Sequence, residues 1–140
     1  MPESVNFHFD IDGDNFTSAG EASVRIKKLL REMGFSPDVI RRVSVAMYEG
    51  EINMVIHANG GTADILVFCD RIQIVLADRG PGIPNIELAM QEGYSTAPDN
   101  IRSLGFGAGM GLPNMKRYTD EMNVESEVGK GTTITMVVNV

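Results

Sequence analysis

The stretch "VAMYEGEINMVIHANGG", Val45 to Gly61, has the spacing of a helix that stops at a glycine pair, yet it carries Glu49, Glu51 and Asn53 among apolar neighbours. Residues four apart on a helix lie nearly above one another, so Glu49, Asn53 and His57 form one stripe while Glu51 points elsewhere. An isolated E-x-x-x-N is also what a solvent-facing helix edge presents. The rest of the chain has to decide between an edge and a site.

Working upstream, "SPDVIRR" starts the same helix. Ser36 suits the cap, Pro37 the first helical position and Asp38 the positive end of the dipole. The helix is expected to reach about Ala58 and to break at Asn59-Gly60-Gly61. A preceding helix is predicted from Thr17 to Met33 on the recurrence of Ala22, Ile26, Leu29, Leu30 and Met33, with Gly34 as its C-terminal cap. Residues 5 to 11, "VNFHFDI", alternate as a half-buried strand and end at Asp12-Gly13-Asp14.

Downstream, "TADILVFC" and "RIQIVLA" read as two strands joined by a tight turn at Asp70-Arg71. A short amphipathic helix is expected around Ile86 to Gln91, then a polar segment from Glu92 to about Leu104 that reads as mobile. A further helix is expected through "PNMKRYTDEM". The strands "NVESEV" and "TTITMVVNV" close the chain around Gly129-Lys130-Gly131. The order predicts one α/β two-layer sandwich over residues 1–140, with helices on one face of a mixed sheet and the other face wet or partner-bound.

Composition narrows the function class. With 19 acidic against 12 basic residues the formal charge is -7, which argues against nucleic acid or an anionic membrane as the main partner. The basic groups Lys27, Lys28, Arg31 and Arg41, Arg42 read as solvated helix faces. Cys69 is the one cysteine, so a disulfide framework and a cysteine metal site are both excluded, and a reducing cytoplasm fits. No apolar run reaches the roughly 18 residues of a membrane span.

Three further segments carry chemistry, each with a plainer reading beside it. In "ADRGPGIP", Asp78 ends an apolar strand and Gly80 and Gly82 follow. This is either an ordinary turn or a carboxylate fixed to accept hydrogen bonds, for example from an exocyclic amine, beside glycines that let a flat ring approach. "GFGAGMGL" sets glycines at 105, 107, 109 and 111 before a helix, and successive N–H groups with a helix start suit a phosphate chain. The spacing is neither the Rossmann fingerprint nor Walker A. "EVGKGTTITM" reads as a hairpin turn when taken alone.

The order of the four segments resembles the GHKL ATPase superfamily of gyrase, Hsp90, histidine kinases and MutL, with its Bergerat-type sheet. Glu49 through His57 resembles the N box, Asp78 through Gly82 the first glycine box, Gly105 through Gly111 the second, and Gly129 through Thr133 the last. Within it, "REMGFSPDVIRRVSVAMYEGEIN", "DRGPGIPNIELAMQEGYST", "GLPNMKRYTDEM" and "ESEVGKGTT" look like the small bacterial serine kinases and anti-sigma factors of partner-switching systems.

The resemblance implies ATP and Mg²⁺. Asn53 would ligate the metal and Asp78 would read the adenine amine, supported by Thr132 or Thr133, with Gly80 and Gly82 lining the base pocket. Gly105, Gly107, Gly109 and Gly111 with Leu112 would hold the phosphates, with the preceding segment acting as a lid over them. Arg102 would reach the γ-phosphate, in competition with Lys116 and Arg117, and Glu49 would accept the proton of an incoming hydroxyl.

Glu51 is a bystander on this reading. Gly50 stands where many members carry alanine and is expected to soften the helix, at about 1 kcal/mol against alanine. The implied function is a cytoplasmic serine/threonine-protein kinase acting on a STAS-domain antagonist. A sigma factor or other regulator is the alternative protein partner, and a homodimer is an expectation of the family. The alternative is an ATP-dependent anti-sigma-type binding module without significant kinase activity, which Gly50 favours. A detached histidine-kinase half is disfavoured, because neither His8 nor His57 is placed like a phosphoacceptor.

Overall fold

The computed structural model describes residues 4–13, 20–58, 60–83, 86, 90 and 111–140, with the His57 side chain outside the description. Five strands are present among them: β1 (Val5–Asp12), β2 (Gly60–Val67), β3 (Arg71–Ala77), β4 (Glu121–Glu127) and β5 (Gly131–Asn139). Three helices accompany them: α1 (Glu21–Glu32), α2 (Pro37–His57) and α3 (Gly111–Tyr118). The predicted helix around Ile86 to Gln91 falls mostly outside the described residues. There, Met90 N–H donates to the Ile86 carbonyl at 3.0 Å, the spacing of one helical turn.

The two-layer α/β architecture is as the alternation of elements predicts, but the sheet is not mixed. Its order is β1-β2-β3-β5-β4 and every neighbouring pair is antiparallel. Two helices in the β1-to-β2 connection return the chain to the end it left, so β2 runs back along β1. The β3-to-β4 crossover does make those two strands parallel, but β5 arrives by a hairpin from β4 and lies between them.

Alternation along the strands sends Ile65, Ile72, Ile74, Met136 and Val138 into one core with Ile26, Leu30, Val43 and Met47 of the helices, all of them fully buried. Burying one such side chain contributes about 1.5–3 kcal/mol, so this interface is the main stabilising term. The opposite face of the sheet, through Gln73, Val75 and Thr135, is half-buried.

The helix ends follow their local chemistry. Ser36 accepts the Val39 N–H on its side chain at 3.3 Å and Pro37 opens α2. Gly34, at φ 86°, donates to the Arg31 carbonyl at 3.1 Å, and Phe35 donates to Leu30 at 3.2 Å. That pair of bonds closes α1 as a Schellman motif.

Three boundaries differ from expectation. The turn between β2 and β3 occupies 68–70, where Phe68 N–H donates to the Arg71 carbonyl at 2.9 Å, and Cys69 is exposed on it. Gly60 and Gly61 belong to β2, paired opposite Asp12 and Ile11, rather than to a break. The last helix stops at Tyr118 instead of running through Met122. Asp120 there joins the sheet end, donating its N–H to the Val137 carbonyl at 2.8 Å while its carboxylate takes the Asn139 N–H at 2.7 Å and Arg42 at 2.9 Å.

Glu51 is no bystander. It is 2% exposed. Its carboxylate receives the N–H groups of Gly20 at 2.7 Å, Ala22 at 3.3 Å and Ser23 at 3.0 Å. The N-cap residue of α1, Gly20, offers no side-chain acceptor, so α2 supplies the cap from across the helix pair. Burial pushes the Glu51 carboxyl above its ordinary value, against the lowering pull of those three N–H groups.

Candidate functional site

Asp78 follows the last residue of β3 and is fixed from two sides. Its Oδ1 accepts the Gly80 N–H at 2.9 Å and the Thr132 N–H at 3.1 Å, while its own N–H donates to the Thr132 carbonyl at 2.9 Å. Among the described residues no donor engages Oδ2. Thr132 is buried, and its hydroxyl meets that of Ser126 at 2.8 Å. Thr133 pairs opposite Ala77 and points to the other face of the sheet. Of the two threonines, Thr132 therefore holds Asp78, through its main chain rather than through its hydroxyl.

The glycines beside Asp78 set how closely other segments approach. A Cβ on Gly80 would sit 2.6 Å from the Ala58 Cβ, at the end of α2. Gly82, at φ 82°, lies against the main chain of Glu127 and Val128. The loop after β3 is thus pinned between the α2 C-terminus and the β4–β5 hairpin.

Glu49 and Asn53 face α3 rather than open solvent. Asn114 Nδ2 donates to Glu49 Oε1 at 3.2 Å. Gly111 lies so close to Asn53 that a Cβ there would be 2.9 Å from the Asn53 Oδ1. Glu49 and Asn53 are half-buried, which removes the reading of a free helix edge for these two residues. Leu112, the next residue of α3, is buried in the core. From Glu49 to Ala58 the helix advances about 14 Å, so the acid and the amide stand one to three turns from the Asp78 loop along a single axis.

Gly50 has a packing cause. A Cβ there would overlap the Leu76 Cδ1, with the Met115 sulfur 3.5 Å away, so the missing side chain is where α2 presses on β3. The glycine expected to soften the helix is thus the point of tight helix-on-sheet contact. Arg102, Gly105, Gly107 and Gly109, with the lid and its mobility, lie outside the described residues. Sequence reasoning missed Asn114 and Glu51, and only the helix packing reveals either.

Residues 15–138 match the family model of the histidine kinase-like ATPase domain. The chain belongs to the histidine kinase-like ATPase family. It is 34% identical over 112 residues to the serine/threonine-protein kinase RsbT of Bacillus subtilis, covering 77% of this chain and 78% of that one. It is 35% identical over 120 residues to the anti-sigma F factor of Clostridium acetobutylicum, covering 82% and 80%. In fold it is similar to a solved Mycobacterium tuberculosis protein with RsbU and RsbW domains, at a TM-score of 0.65 and 18% identity, over 96% of this chain and 32% of that one. By name, the two sequence relatives are a serine/threonine-protein kinase and an anti-sigma factor.

Proposed function

We propose that this chain, as a single domain over residues 1–140, is a serine/threonine-protein kinase that phosphorylates a small STAS-type regulatory partner from Mg-ATP. The observation that carries the reading is the placement of Glu49 and Asn53 on the α3 side of α2, along one helix axis from the buttressed Asp78. Similarity to RsbT supports the reaction type.

The residues present fit a nucleotide. Two N–H groups on Asp78 Oδ1 leave Oδ2 to accept an adenine amine. The Asn53 amide oxygen is the hard ligand that Mg²⁺ prefers, and Mg²⁺ when bound would neutralise triphosphate charge. Gly111 lets the start of α3 approach that amide closely, and in this reading Gly105, Gly107, Gly109 and Gly111 with Arg102 form the phosphate cradle. Glu49 takes the proton of the partner's serine or threonine hydroxyl as that oxygen forms its bond to the γ-phosphorus and the bond to the β-phosphate oxygen breaks, releasing ADP.

Incubation with radiolabelled Mg-ATP and a purified STAS-domain antagonist is the test. The wild type should label the antagonist on serine or threonine, and Glu49→Gln should lose at least a hundredfold of that rate, the lower range for a general base. An equally active Glu49→Gln protein contradicts the assignment.

The alternative, an anti-sigma-type module that only binds, has the anti-sigma F factor among its relatives in its favour. Gly50 no longer supports it, since Leu76 accounts for that glycine. Among the described residues no helix is long and apolar enough to cross a membrane. A cytoplasmic setting is part of the proposal, in keeping with the free thiol of Cys69.

A further inference from the structure

Glu49 sits on a half-buried helix face, and a glutamate side chain there has three torsions to fix before its carboxylate can meet a hydroxyl in line with a phosphorus. Misplacing a catalytic group by about 1 Å is enough to lose about a hundredfold in rate. The only donor bonded to that carboxylate among the described residues is Asn114, in the first turn of α3, whose Nδ2 lies 3.2 Å from Glu49 Oε1. Three residues earlier on the same turn, Gly111 presses on the Asn53 amide. One turn of α3 therefore touches both Glu49 and Asn53.

We propose that Asn114 is a positioning residue for Glu49, holding Oε1 so that Oε2 is presented to the incoming hydroxyl. This rests on the kinase reading above and adds to it a residue that none of the glycine boxes contains. The chemistry of an amide suits the task. It donates a hydrogen bond without a proton that can transfer, and it carries no charge. An arginine or lysine at the same place would form an ion pair with the carboxylate and weaken it as a base. Because one amide hydrogen engages one oxygen, the other oxygen keeps its lone pairs.

The substitutions Asn114→Ala and Asn114→Asp separate position from packing. Aspartate keeps the size of asparagine but replaces the donor with an acceptor that repels Glu49. Turnover of Mg-ATP with the STAS-domain antagonist present is read as ADP release, ATP affinity by calorimetry, and the contact itself by the side-chain amide resonance of Asn114 in a ¹⁵N–¹H spectrum. Both variants should lose about tenfold or more in kcat with KM and ATP affinity unchanged, a change confined to the chemical step. In Glu49→Gln the Asn114 amide resonance should move.

Variants that turn over ATP like the wild type, a rise in KM with kcat intact, or an amide resonance indifferent to Glu49→Gln would each overturn the proposal. A wild type that neither binds nor turns over Mg-ATP would instead overturn the nucleotide-site reading on which it rests. The two failures are thereby distinguished, since in the first ATP is still consumed.

Discussion

Glu49 and Glu51 are two residues apart and do opposite work. Glu49 is half-buried and faces α3, whereas Glu51 is sealed against the α1 N-terminus with three N–H groups on its carboxylate. Truncating Glu51 to alanine leaves buried helix donors unsatisfied and should cost about 3 kcal/mol, while glutamine keeps an acceptor and should cost less. Denaturant midpoints of the two variants check the order. The carboxyl is raised by burial, so its contribution to stability is complete below the unfolded value of 4.5 and is lost as pH rises through the folded value. Glu51→Gln should remove that component from the pH profile of stability. An unchanged profile would show that burial does not raise the carboxyl. The helical wheel separates Glu51 from Glu49, but the donors it caps lie 28 to 31 residues earlier in the chain. No local spacing carries such a contact, so its role emerges only once α1 is packed on α2.

At the scale of elements, helix ends were legible because caps are local. Ser36, Pro37 and Gly34 behave as their chemistry dictates. Gly50 was not legible, because its reason is Leu76 on a strand 26 residues later. Gly50→Ala should therefore fail to deliver the gain of about 1 kcal/mol that helix propensity alone promises, and instead cost about 1 kcal/mol through overpacking. In a Leu76→Ala background the same substitution should become stabilising, and a thermal-melt double-mutant cycle measures the coupling. Additive effects would mean that Leu76 does not determine the residue at 50. On the sheet's open face, His8 of β1 reaches Asp64 of β2 at 2.7 Å and Asp10 at 3.2 Å. The Asp64 bond, then Asp10, hold the imidazole above 6.5. This clamp is present below 6.5 and is lost as pH rises through the folded value. The pH dependence of the unfolding midpoint should flatten across that window in His8→Asn, and an identical dependence would rule the clamp out.

For the whole molecule, the α/β class followed from the alternation of strand and helix periods, and the four polar segments were readable in order. The contacts that hold their described parts were not readable. Asp78 depends on β5 lying beside β3, a neighbour that arrives only after α3 and β4, and the same insertion turns an expected mixed sheet into an antiparallel one. The choice of Thr132 over Thr133 likewise depends on the register of that pair. The central claim is that these segments form one nucleotide site with Asp78 at the base end and Asn53 at the metal end. Titration calorimetry of ATP with and without Mg²⁺, on the wild type and on Asp78→Asn, tests it most directly. The account predicts binding that Mg²⁺ strengthens and that Asp78→Asn abolishes in a protein of unchanged thermal stability. Equal binding by Asp78→Asn, or none by a folded wild type, would contradict it.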